Sequence, residues 1–420
     1  MRTFALLICF ASLALPPSLQ ATTIEEAVSQ ALERHESGRA ADARAQAAAA
    51  RVGRARSLLL PSLRAEGVWT RHGDAVSNRD EGAEGRLSAS QTLFSARAFP
   101  MLAAALSTRE AARLEAAETR RGIAFATAGA FLDALATQEL AAAASRRHQL
   151  ARQAEDEIRV RFAAQLTGSN ELSRAELESA TAEGEWVRAQ GTARVARLAL
   201  EHWMGNPLQD SLTPPVNLLA EAREEVSALD ATQATANRQD LLAMRARLKA
   251  LRQTAVEPLM RWVPDLSLGA SSTMAEGEGV DGARTNWLMN LTLGWPLYDG
   301  GMREADRAEQ KALARAAELD LTVLERGLRL ELESAQALLE SARAALVRSR
   351  VALDAARRNA HESAELYRRG LARALDVVDA NVRLFEAEAE QVRSQAELAS
   401  AHLGLRQAQG LSPFHKESSR

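Results

Sequence analysis

Eleven prolines punctuate this chain of 420 residues, yet none falls within residues 101–206 or 297–412. Proline removes a backbone donor and clashes with the preceding turn, so it is rare inside helices. Two long tracts without it therefore admit helices far longer than a globular domain requires. In the second tract Leu321, Leu324, Leu328, Leu332, Ala335, Leu339, Ala342 and Leu346 recur at threes and fours, the stripe of a helix packed on a neighbour. A helix from about residue 302 to residue 369 spans about 100 Å at ~1.5 Å per residue. Composition agrees with this reading: 46% of the chain is hydrophobic but only 4% aromatic, with 25% charged. Such a mixture suits long helices with closely approaching backbones rather than an aromatic-centred core.

Two shorter regions follow a different rhythm. In TNWLMNLTLGWPLY, residues 285–298, Trp287, Met289, Leu291, Leu293, Trp295 and Leu297 fall on one side, while Leu288, Asn290, Thr292 and Gly294 fall on the other. This period of two predicts a strand. A second strand is expected over 264–274, joined to the first by the glycine-rich AEGEGVDGA, which reads as a polar loop. The arrangement occurs twice. PSLRAEGVWT at Pro61 matches PDLSLGASST at Pro264, LSASQTLF ending at Phe94 matches LTLGWPLY ending at Tyr298, and LTGSNELSRAE at 166–176 matches LARALDVVDAN at 371–381. The chain thus reads as an internal duplication with repeats over about 22–206 and 226–412, and with the other two strands at about 61–70 and 86–94.

The N-terminus, MRTFALLICFASLALPPSLQA, has one cation (Arg2), an apolar run from Phe4 to Leu15, then Pro16 and Pro17. It predicts a secretory signal peptide over 1–21, removed after Ala21. The single cysteine, Cys9, lies in that run, so a mature chain without thiol or disulfide is expected. Removal takes away one arginine and no acid, moving the formal charge from −3 to −4. With no basic domain, nucleic acid is not expected as a partner. Beyond residue 21 no apolar run approaches the ~18 residues of a spanning helix, so any membrane crossing must be made by strands.

Each expected strand has the ~10-residue length of a tilted membrane strand. Trp69, Trp262, Trp287 and Trp295 lie in or beside the strands, as interfacial aromatic belts require. Four strands cannot close a barrel, and an open edge in lipid leaves backbone groups unsatisfied. Several copies must share one barrel: two chains give eight strands with a filled interior, three give twelve with a lumen.

The junctions LLLPSLRAEG and WPLYDGGMREADRAE, together with YRRGLARALDVVDANVRLFEAEAE at 367–390, resemble the outer membrane efflux protein family, the TolC-like channels. The likeness covers essentially the whole mature chain and both repeats. It implies a mainly helical fold with a small β part: duplicated long-helix hairpins forming a trimeric α-barrel in the periplasm, and four strands per chain in a shared twelve-stranded barrel in the bacterial outer membrane. The implied role is the exit duct of a tripartite efflux or type I secretion system, through which drugs, metal cations or proteins leave. The implied partners are two further copies, a periplasmic adaptor, an inner-membrane transporter of RND or ABC type, and outer-membrane lipid.

In the family pattern Y-x-x-G-x-x-x-x-x-D-x-x-D lies near the periplasmic tip, and Tyr367, Gly370, Asp376 and Asp379 fit it. The resemblance then implies that Asp376 and Asp379 line the narrowest point, six carboxylates from three chains, conferring cation preference and a site a cation can block. It also implies that Tyr367 bonds an acid of the first repeat, the matching position being Glu171. Two positions depart from the pattern. The locking arginine is expected where Ala372 stands, with Arg373 one place later, and Gln165 replaces the glycine of the first repeat.

No enzymatic constellation assembles. His35, His72, His148, His202, His361, His402 and His415 are scattered, with no pair at i, i+4, so neither a zinc site nor any other cofactor is expected. The competing class is a secreted or periplasmic coiled-coil protein without a pore. It accounts for the helices and the duplication but not for paired amphipathic strands at equivalent positions.

Overall fold

The computed structural model describes residues 22–71, 81–208, 211–224, 231–275 and 285–414. The expected signal peptide, residues 1–21, lies outside the described residues. The first half runs α1 (Ile24–Arg34), α2 (Glu36–Ser57), β1 (Ser62–Arg71), β2 (Glu81–Phe94), α3 (Ala98–Ala163) and α4 (Ser169–Met204). The second runs α5 (Val216–Arg223), α6 (Ala231–Asn237), α7 (Gln239–Thr254), α8 (Glu257–Met260), β3 (Asp265–Ala275), β4 (Thr285–Gly294), α9 (Met302–Arg368) and α10 (Ala374–Ala408). The mainly helical class with a small β part, expected from the sequence, is the observed one.

α3 and α9 have 66 and 67 residues, so each is about 100 Å long at ~1.5 Å per residue. All eight residues of the α9 stripe are buried or half-buried, against α6, α7 and α10. The main core lies near mid-length, where Phe131, Leu132 and Ala128 of α3 meet Leu200 and Met204 of α4, Ile24 of α1 and Leu403 of α10. Many core positions are alanine, which allows helix axes to approach closely. Beyond this core α3–α4 and α9–α10 continue as two hairpins, each projecting about 50 Å at ~1.5 Å per residue.

The four strands form one antiparallel sheet in the order β1-β2-β3-β4, which leaves β1 and β4 as free edges. Its register sorts side chains onto two faces. Leu63 and Trp69, Leu87 and Ala89, Leu266 and Leu268, and Trp287, Met289, Leu291 and Leu293 share one face. Arg64 and Glu66, Glu84, Arg86 and Ser88, Ser271 and Thr273, and Asn290 and Thr292 share the other. Two strand ends differ from expectation. β4 stops at Gly294 rather than 298, because Pro296 has no N–H to continue a ladder. β2 starts at Glu81 rather than 86, because its first half alternates small residues with charges and so lacks an apolar stripe.

The return from β4 into α9 turns through Gly300 and Gly301, with φ of 73° and 88°, conformations that glycine adopts without steric penalty. Arg303, only 3% exposed, holds this turn. Its guanidinium donates to the carbonyls of Pro296 (3.1 Å) and Leu297 (3.3 Å) and covers the Trp262 ring at 3.9 Å. Its Nε lies 2.9 Å from Asp299 Oδ2 at an angle too bent for a hydrogen bond, so that contact is an ion pair. The Trp295 indole donates to the Trp262 carbonyl at 3.1 Å.

Candidate functional site

Both hairpins turn by the same backbone device. In the first, Ala164 N bonds Val160 O, Gln165 N bonds Phe162 O and Leu166 N bonds Arg161 O. In the second, Arg369 N bonds Glu365 O, Gly370 N bonds Tyr367 O and Leu371 N bonds Leu366 O. The last bond of each set is the long closure of a Schellman-type helix end, which needs a left-handed residue just before its donor. Gly370 supplies it at φ 75°, and Gln165 supplies it at φ 60°. A side chain at such a φ costs roughly 1–2 kcal/mol, so the first tip carries strain that the second avoids. Leu166 and Leu371, the residues after the turn, are 77% and 73% exposed.

Asp376 lies in the first turn of α10 and accepts from the Arg373 backbone N–H (2.9 Å) and guanidinium (3.2 Å). The backbone bond first, and the guanidinium second, hold its carboxyl below the usual aspartate value. It is therefore a carboxylate at neutral pH, and an acid at a helix N-terminus also complements the helix dipole. Its capping contribution is present above the ordinary carboxylate range and is lost as pH falls through the lowered value. Asp379, one turn further, is exposed.

Tyr367 does not hydrogen-bond Glu171. Its hydroxyl donates to Glu157 of α3 at 3.1 Å, and the Arg161 guanidinium lies over its ring at 4.6 Å. Arg161 also pairs with Glu157 at 3.0 Å. Glu171 is taken by the Thr167 hydroxyl, which holds it within its own hairpin, although its charge still acts on Tyr367. Partial burial, then the charge and bond of Glu157, push the phenol upward, so it stays a donor at neutral pH. Arg373 is spent on Asp376 and makes no cross-hairpin bond among the described residues. Glu157 and Arg161 were missed by sequence reasoning. Their i, i+4 spacing marks them as a helix pair, but nothing local names Tyr367 as the third member. Among the described residues no three His, Cys, Asp or Glu side chains converge to hold a metal ion.

The tips thus combine a paired acid, a free-facing acid and an inter-hairpin tyrosine bond at the far end of four long helices. Residues 231–411 match the family model described as outer membrane efflux protein. The chain carries an outer membrane efflux protein domain. This domain runs from α6 through α10 and includes Tyr367, Gly370, Asp376 and Asp379. Protein CyaE of Bordetella pertussis is 31% identical over 172 residues, which is 40% of this chain and 36% of that protein; the match thus spans about a third of that relative's length.

Likeness in fold reaches across both halves. The outer membrane protein VceC of Vibrio cholerae superposes with a TM-score of 0.74 at 20% identity, covering 93% of this chain and 97% of that one. The Neisseria gonorrhoeae MtrE outer membrane channel, in its open state, gives 0.80 at 19%, covering 93% and 89%. The Campylobacter jejuni CmeC outer membrane channel gives 0.79 at 17%, covering 92% and 85%. The first half of the chain therefore shares the fold of these solved structures, although the family model matches the second.

Strain at the first tip yields a measurable difference between the halves. Gln165→Gly should stabilise that turn by about 1 kcal/mol, and Gly370→Ala should destabilise the other by a similar amount. Hydrogen exchange at the Leu166 and Leu371 amides, the donors of the closing bonds, reads both effects. Slower exchange at Leu166 in the first variant and faster exchange at Leu371 in the second are expected.

Proposed function

We propose that this chain is one protomer of a homotrimeric exit duct in the bacterial outer membrane, its strands completing a twelve-stranded barrel and its hairpins a periplasmic helical conduit. The observation that carries the reading is the two-faced sheet with free edges at β1 and β4. One face is predominantly apolar, with Ser272 and Gln91 among its leucines and tryptophans and Arg71 opposite Glu81 at its loop end, and the other is predominantly polar, as strands between lipid and lumen require. Free edges in lipid demand partner strands. The tryptophans support it. Trp69 and Trp287 lie toward the β1–β2 and β3–β4 loop end, Trp262 and Trp295 at the helix end. Trp287 and Trp295 are about 27 Å apart along the chain direction at ~3.4 Å per residue, comparable to the ~25 Å apolar band of such barrels. Among the described residues no helix is long and apolar enough to cross a membrane, which leaves the strands as the membrane element.

The hairpin tips are the proposed periplasmic constriction. Asp376 and Asp379, repeated around a threefold axis, make a ring of six carboxylates, while the Tyr367–Glu157 bond braces the second hairpin against the first. Opening then requires the hairpins to separate at that bond. The exposed Leu166 and Leu371 offer an apolar foothold for a periplasmic adaptor linking the duct to an inner-membrane RND or ABC transporter.

The mature protein should require detergent and run as a heat-modifiable trimer. A soluble monomer without detergent would instead favour a pore-free coiled-coil protein. In planar bilayers Asp376→Ala with Asp379→Ala should lower the cation-to-anion permeability ratio severalfold and weaken block by multivalent cations. An unchanged ratio in that double variant removes the constriction assignment.

A further inference from the structure

The polar face of the sheet holds a set of charges that the constriction does not use. Arg64 and Glu66 alternate along β1, and Glu84 and Arg86 along β2. The register places Glu66 directly opposite Arg86, Arg64 opposite Ser88, and Glu84 opposite Val68. The four ionic groups therefore occupy one compact block on one face. Within each strand the neighbours pair, Arg64 with Glu66 at 3.3 Å and Arg86 with Glu84 at 3.4 Å. The block spans about 7–20 Å up β1 from Ser62 at ~3.4 Å per residue, from the level of Arg64 to that of Glu84 opposite Val68. Across the same face β3 and β4 present Ser271 and Thr273, and Leu288 and Asn286, at the levels of Arg64 and Glu66, with no charge among them.

Charged side chains at mid-depth cannot face lipid without a penalty of about 2–4 kcal/mol for each cation. In the exit-duct reading, on which this inference rests, they face the lumen. A twelve-stranded barrel has a backbone radius of about 12 Å from its strand number and tilt. Arginine and glutamate side chains reach inward across about half of that radius, so the block stands where permeating ions pass close to it.

We propose that Arg64, Glu66, Glu84 and Arg86 form a charge-balanced ring inside the strand barrel, which makes the outer exit indifferent to the sign of the cargo. Threefold repetition gives six cations and six anions with no net charge. Alternating signs at such short spacing cancel within a Debye length of about 8 Å, so the ring wets and widens the electrostatic path without selecting. Sign discrimination is then confined to the periplasmic end.

The test is the reversal potential of the reconstituted full-length mature channel in a potassium chloride gradient. Glu66→Gln with Glu84→Gln leaves six arginines unopposed and should shift the permeability ratio severalfold toward chloride. Arg64→Gln with Arg86→Gln should shift it severalfold toward potassium. The variant with all four replaced by glutamine should keep the wild-type ratio, because balance is preserved. Conducting channels in which either pair leaves the ratio unchanged, or in which the fourfold variant shifts it, would overturn the proposal. A wild-type protein that forms no channels defeats the exit-duct reading instead.

A milder pair of substitutions guards against misfolding of the charge variants. With Cys9 in the expected signal peptide, an introduced cysteine is the single thiol of the mature chain. Ser88→Cys, on the charged face, should react with a membrane-impermeant thiol reagent added to open channels and reduce their conductance. Ala89→Cys, on the apolar face, should not. Equal labelling at both positions, or labelling at residue 89 alone, contradicts a lumen-facing ring.

Discussion

Arg303→Ala should uncouple the strand barrel from the helical conduit, at a cost of about 3–5 kcal/mol. The size follows from what truncation leaves behind. Two carbonyls, Pro296 and Leu297, lose their donor, Asp299, with its side chain 17% exposed, loses its counter-charge, and the face of Trp262 loses its cation. Each unsatisfied buried group costs about 1–3 kcal/mol, partly relieved as the turn opens to water. Arg303→Lys keeps the charge, but a point ammonium cannot span two carbonyls and cover a ring together, so it should recover less than half of the loss. Trp262 and Trp295 report on this joint. The alanine variant should show red-shifted tryptophan emission and, in the proposed trimer, dissociate to monomer at a lower temperature in detergent. An unaltered conversion temperature and emission would show that the turn is held by Gly300, Gly301 and the ladder alone.

Arg238→Ala should be nearly as costly, about 3–4 kcal/mol, and its effect should fall on the belt where α7, α9 and α10 meet. Arg238 is 6% exposed and precedes α7. It grips Asp240 with two bonds of 2.9 and 2.6 Å and reaches Glu331 of α9 at 2.6 Å and the Ala408 carbonyl of α10 at 3.5 Å. Burial pushes the Asp240 carboxyl up, but the bonds and charge of Arg238 outweigh it and hold the carboxyl below its usual value. The folded carboxyl is thus depressed, so its stabilisation is present above the ordinary carboxylate range and lost as pH falls through the lowered value. Arg238→Ala should therefore flatten the stability profile on the acid side as well as lower it at neutral pH. Adding Asp240→Ala should restore part of the loss, because a half-buried acid without its counter-charge is then no longer present. A strictly additive double variant would mean that the two residues do not act as a pair. The same belt is tightened by Gly410, at φ 74°, where a Cβ would come within 2.9 Å of the Asn237 backbone.

How legible these features were depended on the range over which each is specified. The α9 stripe at threes and fours and the proline-free tracts predicted long helices, and α3 and α9 are such helices. The period of two predicted β4, but its end was overextended because Trp295 and Leu297 continue the apolar alternation past the point where Pro296 ends the ladder. The early part of β2 was missed for the opposite reason. Its side chains alternate, yet on the face shared with Trp69 and Leu87 it offers only Glu81, Ala83 and Gly85, and on the other Glu84 and Arg86, so no apolar stripe marks it.

The site divides along the same line. Pairing of Arg373 with Asp376 is a matter of three residues along one chain and follows from helix-start geometry. Pairing of Tyr367 with Glu157 joins residues 210 positions apart, and the resemblance pointed to Glu171 instead. Glu171 is engaged by Thr167, four residues before it, a local bond that competes for the acid.

By itself, the sequence determined which segments are helix and which are strand, that the plan is repeated, and that four strands with two free edges need partners. These follow from periodicity and backbone chemistry, which act over a few residues. Only the tertiary structure decided which acid receives the Tyr367 hydroxyl, which side chains hold the Arg303 and Arg238 joints, and that four charges of β1 and β2 form one block on one face. Those depend on the axial register of helices and strands far apart in the chain, and register is set by packing along the whole length of each contact.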